Sequence, residues 1–192
     1  MGLNYAMEKL GSQCHSFGIW LGGESSSITD IGITDFATGL QKRSAPFKKL
    51  SIHFDGCKQI TNKGLESIAA SLKTRMGSVR SLNITFDLCE QITNEGVFKV
   101  ADAIDDGCQS LDEASFGFAY CFGVSSKSKS YIETIINEKL AAGKNAKKGK
   151  KGKLSDKTWV EESIDEIHEG TKYEFEKVNH KKEDECLIQK SL

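Results

Sequence analysis

The chain has 192 residues, with 26 Lys and Arg against 27 Asp and Glu, a formal net charge of −1 and 38% apolar residues. Charge this evenly balanced creates no global field toward nucleic acid or an anionic membrane. No apolar run approaches the roughly 20 residues of a membrane-spanning helix. The N-terminus does not combine a basic region, an apolar core and a cleavage site, so no signal peptide is read there.

In chain order, the opening GLNYAMEKL places Gly2, Leu3, Ala6, Met7 and Leu10 where GLESIAASL has Gly64, Leu65, Ile68, Ala69 and Leu72, at an offset of 62. At an offset of 32, Ile52, Phe54, Cys57, Ile60, Thr61 and Gly64 match Ile84, Phe86, Cys89, Ile92, Thr93 and Gly96 without a gap. The same register runs back to Trp20, Ile28, Thr29, Gly32 and Leu40, and forward to Phe116, Phe118, Cys121, Val124 and Ser125. Self-similarity at one period marks a stack of units, each burying its apolar face only against its neighbours.

Within a unit the hydrophobic period switches. In LNITFDLC, Leu82, Ile84 and Phe86 alternate with Asn83, Thr85 and Asp87, as in a strand with one face in a core and the other in water. In ITNEGVFKVADAI, Val97, Val100, Ala101 and Ile104 take helical spacing, with Thr93 or Asn94 as N-cap. Glycine inside a helix costs about 1 kcal/mol relative to alanine, so Gly96 implies close approach of a neighbour. The six cysteines, at 14, 57, 89, 108, 121 and 186, form no CxxC pair. Three of them recur at the repeat interval, which predicts reduced, buried thiols in the cytoplasm or nucleus instead of a disulfide framework or zinc site.

The string IxFxxCxxITxxGLxxIAxxL resembles a leucine-rich repeat of the cysteine-containing or ribonuclease-inhibitor-like type. The match is strongest over 52–72 and 84–104, and it extends over residues 2 to about 140. The resemblance implies an α/β solenoid, a short horseshoe with a parallel sheet on the concave face and helices on the convex face. It also implies that Cys57, Cys89 and Cys121 turn inward after each strand to satisfy loop backbone. The excess over the shorter repeats usual in that family falls in KTRMGSVRS and its equivalents, where a longer helix or an extra turn is expected.

The domain reading is therefore 1–140 as about three and a half repeats, 141–154 as a flexible linker and 155–192 as a charged tail with one short helix. AAGKNAKKGKKGK carries six lysines and three glycines in thirteen residues, too little apolar surface to offset its ordering entropy. No aromatic side chains interleave with those lysines to stack on bases, which argues against nucleic acid. The tail helix would centre on Trp159, Val160, Ile164 and Ile167 and could cover an end of the array.

No phosphate loop, HExxH helix, nucleophile elbow or paired metal motif occurs, so neither a cofactor, a metal nor a small-molecule substrate is expected. His53 beside Asp55 has the makings of a proton-transfer pair, but no nucleophile or cleft accompanies it. Trp20, Phe54, Phe86, Phe116 and Phe118 read as a packing stack. The concave strip is read as Leu21 and Gly23, then Ser51, His53 and Asp55, then Asn83, Thr85 and Asp87, then Ser115, Gly117, Ala119 and Tyr120. A partner protein is expected to meet His53, Asp55, Asn83, Thr85, Asp87 and Tyr120, with Asp55 and Asp87 forming an acidic strip replaceable without loss of stability. The resulting expectation is a non-enzymatic scaffold or adaptor. Substrate recognition for a ubiquitin ligase and regulation of a small GTPase are the alternatives that the resemblance implies.

Overall fold

The computed structural model describes residues 7, 10, 13–23, 27–148 and 185–190. Four strands alternate with four helices: β1 (Ser16–Leu21), α1 (Asp30–Lys42), β2 (Lys49–His53), α2 (Asn62–Arg75), β3 (Ser81–Thr85), α3 (Asn94–Gly107), β4 (Glu113–Gly117) and α4 (Ser126–Lys148); a fifth strand, β5, spans Glu185–Lys190. All pairings are parallel, in the order β4-β3-β2-β1-β5. Each helix packs on the next in sequence. The fold is thus α/β, with a parallel sheet whose first four strands stack in chain order.

Alternation decides which strand residues enter the core. Leu50 and Ile52 of β2, then Leu82 and Ile84 of β3, are essentially inaccessible, and they share one cluster with Leu65, Ile68, Leu72, Val97, Val100 and Ile104 of the helices. Just past the strands, Phe54 and Phe86 stack at 5.8 Å, and Phe86 and Phe118 at 6.3 Å between ring centroids. Burying one such ring stabilises by about 1.5–3 kcal/mol. The long connection after α2 is used as expected: a 14-residue helix is followed by a turn that buries Met76 and Val79.

Three differences from the sequence reading have physical causes. Ser16 faces Lys49, 33 residues on, whereas Lys49 faces Ser81 at 32. The additional residue lies in the turn between β1 and α1, and a one-residue shift exchanges the faces of a strand. Leu21 is consequently core, while Trp20, read as part of the packing stack, sits opposite His53 on the other face. The helix α4 runs to Lys148, eight residues into the stretch read as linker. Ala141 and Ala142 are good helix formers, and Gly143 lets the helix pass the Leu111 carbonyl, which would stand 2.6 Å from an added Cβ. Finally, residues 185–190 form β5 beside β1, where no strand was expected; the expected tail helix lies outside the described residues.

The cysteine expectation also divides. Cys57, Cys89, Cys108 and Cys121 are buried and outside any disulfide, but Cys14 is disulfide-bonded.

A second repeat of interactions lies at the helix starts. Asp30 Oδ1 accepts the Thr61 and Gly64 amides at 2.8 and 3.0 Å, and Asp30 Oδ2 accepts the Thr61 hydroxyl at 2.7 Å. One unit on, Asn62 Oδ1 accepts the Thr93 amide at 3.0 Å while its Nδ2 donates to Thr93 Oγ1 at 2.8 Å. One further on, Asn94 Oδ1 accepts the Ser125 amide at 2.7 Å and the Ser128 hydroxyl. The recurring glycine follows: a Cβ on Gly64 would stand 2.8 Å from Asp30 Oδ1, and one on Gly96 2.6 Å from Asn62 Oδ1. Gly96→Ala should therefore destabilise by about 1 kcal/mol or more, the reverse of the usual gain for alanine in a helix. Urea melts of Gly96→Ala, Asn62→Ala and the double variant check this: the double variant should lose less than the two single losses added.

Candidate functional site

The register sets out the non-core face of the sheet in rows. Gly18, Ser51, Asn83 and Ser115 form one, and Trp20, His53, Thr85 and Gly117 the next. Of the six expected partner residues, the structure gathers five, His53, Asp55, Asn83, Thr85 and Asp87, into one network. Tyr120 stands apart from it, in the turn after β4.

The Trp20 and His53 rings are nearly parallel, 9° apart with centroids at 4.6 Å. His53 Nδ1 lies 2.8 Å from Thr85 Oγ1, which is 2.9 Å from Asp55 Oδ2. Donor directions follow from chemistry. A carboxylate only accepts, so the single Thr85 hydroxyl proton goes to Asp55, and Thr85 Oγ1 accepts from His53 Nδ1–H. The neutral ring then carries its lone pair on Nε2, 3.4 Å from Asn83 Nδ2, and Asn83 Oδ1 accepts the Ser115 hydroxyl at 2.8 Å.

This chain of donors ends on Asp55 and is not a nucleophile–base pair. For His53 to activate Thr85, Nδ1 would have to accept the proton that the threonine gives to the carboxylate. Burial pushes the His53 pKa below its ordinary value, against the opposing pull of Asp55 and Asp87.

The two aspartates do not form the open acidic strip that was expected. Asp55 Oδ1 accepts the Asp87 amide at 2.9 Å, and Asp87 Oδ1 accepts the Ala119 amide at 2.6 Å. Each carboxylate holds the turn of the following unit. Hydrogen bonds to charged groups contribute about 1.5–3 kcal/mol, so replacing Asp55 and Asp87 with lysine would weaken the fold as well as any binding face. Burial raises the Asp87 pKa, and the Ala119 amide opposes the shift.

The repeated cysteines serve the same stacking. Cys57, Cys89 and Cys121 donate their thiols to the carbonyls of Leu21, Phe54 and Phe86 at 3.1, 3.1 and 3.0 Å. Burial pushes the Cys121 pKa up to about 11 and that of Cys108 to about 12, far from a reactive thiolate. Among the described residues no group of His, Cys, Asp and Glu is placed to hold a metal ion, and no helix is long and apolar enough to cross a membrane.

What the sequence reading missed is the turn one residue past Asp55 and its equivalents. Gly23 and Gly56 have φ of 122° and 71°, and the matching Leu88 and Tyr120 have φ of 59° and 56°. The left-handed conformation is natural to glycine and costs another residue about 1 kcal/mol or more. Both non-glycine side chains are apolar and exposed, Leu88 at 42% and Tyr120 at 68%, and Phe122 beyond them is exposed at 83%. The signal that could have found them is the Gly-to-Leu-to-Tyr change at one repeat position.

No family model matches the chain, and no curated protein matches it. Among solved structures it is similar to one described as "Leiomodin-1 Actin-Binding Site 2 (ABS2)". The TM-score is 0.53 at 13% identity, over 77% of this chain and 91% of that one. Likeness at this identity concerns the fold alone.

The His53 network makes a pH prediction. With a folded pKa below the unfolded value of about 6.5, neutral His53 contributes stability that is complete above that pH and lost as pH falls below it. The deficit in melting temperature of His53→Gln relative to the parent should therefore be largest near neutral pH and shrink toward pH 5. A constant deficit would contradict the network.

Proposed function

We propose that the chain is a leucine-rich-repeat solenoid of the cysteine-containing, ribonuclease-inhibitor-like type, acting as a non-enzymatic scaffold that binds another protein. The repeat spacing, the inward cysteines and the stacking of successive strand–helix units support the architecture. The observation that carries the function is the pair Leu88 and Tyr120. Where the first two units use glycine, these place exposed apolar side chains on a strained backbone. Retained strain of this kind is characteristic of binding surfaces. Aromatic anchors such as Tyr120 and Phe122 are also the side chains that dominate protein recognition.

The binding face then runs along the turn edge, through Leu88, Tyr120 and Phe122, and is flanked by the Trp20–His53 row of the sheet. Asp55, Asp87, Asn83 and Thr85 hold that face in shape and do not themselves supply its affinity. Substrate recognition for a ubiquitin ligase is compatible with such a face, and so is regulation of a small GTPase; both are special cases of protein binding. The neighbour named for actin binding makes actin the first purified partner to try.

The experiment compares the parent with the triple variant Leu88→Gly, Tyr120→Gly and Phe122→Ser, using actin pull-down and affinity capture from the native cell. Relief of the left-handed strain should leave the melting temperature unchanged or higher, while capture falls at least about tenfold. Undiminished capture by the triple variant would overturn the proposal.

A further inference from the structure

Among the described residues the sheet is flanked beyond β1 by β5 and has no strand beyond β4. A groove of about 290 Å³ lies there between the strand and α4, lined among others by Ala114, Phe116, Phe118, Ile132, Ile136 and Leu140. In the preceding unit the residues matching Ala114 and Phe116 are Leu82 and Ile84, fully buried by the next strand and helix. Here Ala114, Phe116 and Leu140 are only half-buried. The surface is therefore that of a unit–unit interface without its second half. A strand edge that no described strand pairs, beside an apolar groove, is a template for another strand.

We propose that the occupant is a second copy of this chain, joined by antiparallel pairing of β4 with β4 across a two-fold axis at Ser115. The strand is self-complementary in that register. Ala114 faces Phe116 of the second copy on the core side, a small residue against a large one. Glu113 faces Gly117 of the second copy on the other side, so no carboxylate meets its own image. Only Ser115 meets itself, and it is exposed and uncharged. The helical wall of the groove carries one cation and one anion, Lys129 and Glu133, and can face its own copy without net repulsion. The two sheets would join into one, and the two grooves would close on each other, an isologous contact that stops at the dimer.

Ser115 gives the test, and because its hydroxyl also donates to Asn83 Oδ1, each variant's melt is read beside its association so that loss of folding and loss of pairing are told apart. Sedimentation equilibrium of the full chain should give a dimer. Ser115→Lys and Ser115→Asp, each placing like charges face to face, should each weaken it at least about tenfold, and an equimolar mixture of the two should restore it. Directly opposed residues have Cα atoms about 4.5–5.5 Å apart, within disulfide reach, so Ser115→Cys should cross-link two chains under mild oxidation. A circular dichroism melt of each variant confirms folding. A parent chain that stays monomeric at every concentration would overturn the proposal, because the groove would then be filled by the chain's own residues or left open. A dimer indifferent to Ser115→Lys and not cross-linked through Ser115→Cys would overturn it equally. Neither result bears on the turn edge at Leu88 and Tyr120.

Discussion

Each unit of this protein depends on a side chain from the unit before it to satisfy the backbone of its turns. Where a strand ends and where a helix begins, amide groups lack a partner in either ladder, and leaving one unpaired costs most, about 1–3 kcal/mol, where it is shielded from water. Asp55 and Asp87 supply the strand-end acceptor for Asp87 and Ala119, while Asp30, Asn62 and Asn94 supply the helix-start acceptor for Thr61, Thr93 and Ser125. The cysteines complete the exchange by donating backward to carbonyls of the preceding unit. A polar side chain reaching forward and a thiol reaching back give the stack a direction. They also favour repetition at a nearly constant interval, 33 residues from β1 to β2 and 32 thereafter, since donor and acceptor must meet on every rung.

That constraint divides the sheet face into residues committed to the frame and residues that are not. His53, Thr85, Asp55, Asn83 and Ser115 form one continuous donor chain, so a charge placed on any of them propagates to its neighbours. The positions free to vary are those where the frame needs only a backbone conformation. At the left-handed turn position the first two units use glycine, and the last two replace it with Leu88 and Tyr120 at a cost in strain. The proposed binding face is therefore concentrated at the turn edge near the later units.

Much of the fold was legible because its interactions recur. The interval of 32, the threonines at the helix starts, the inward cysteines and the need for glycine at Gly64 and Gly96 all follow from residues that reappear in register, although only Thr29 and Thr61 cap with their side chains and Thr93 does not. What was illegible was not repeated. The additional residue before α1 changed the face of Trp20, and no second example existed against which to detect it. The strand β5 exists through pairing with the β1 edge, a tertiary property to which ECLIQK adds no distinctive pattern. The continuation of α4 past Leu140 depends on Gly143 meeting the Leu111 carbonyl. For the candidate site, the sequence placed His53 and the aspartates on the correct face but could not give the direction of their lone pairs. An aspartate pointing at solvent and one pointing at the next amide read identically. Tyr120 was found as an exposed residue, but its significance came from its φ angle.

The central claim is that the side-chain acceptors of one unit hold the backbone of the next. Native-state hydrogen exchange of Asp55→Ala against the parent tests it most directly. Loss of a charged acceptor contributing about 1.5–3 kcal/mol should lower protection of the Asp87 amide by at least about tenfold. The Thr61 amide, held by Asp30, and the Thr93 amide, held by Asn62, should keep theirs. Unchanged protection at Asp87, or an equal fall at all three amides, would contradict the account.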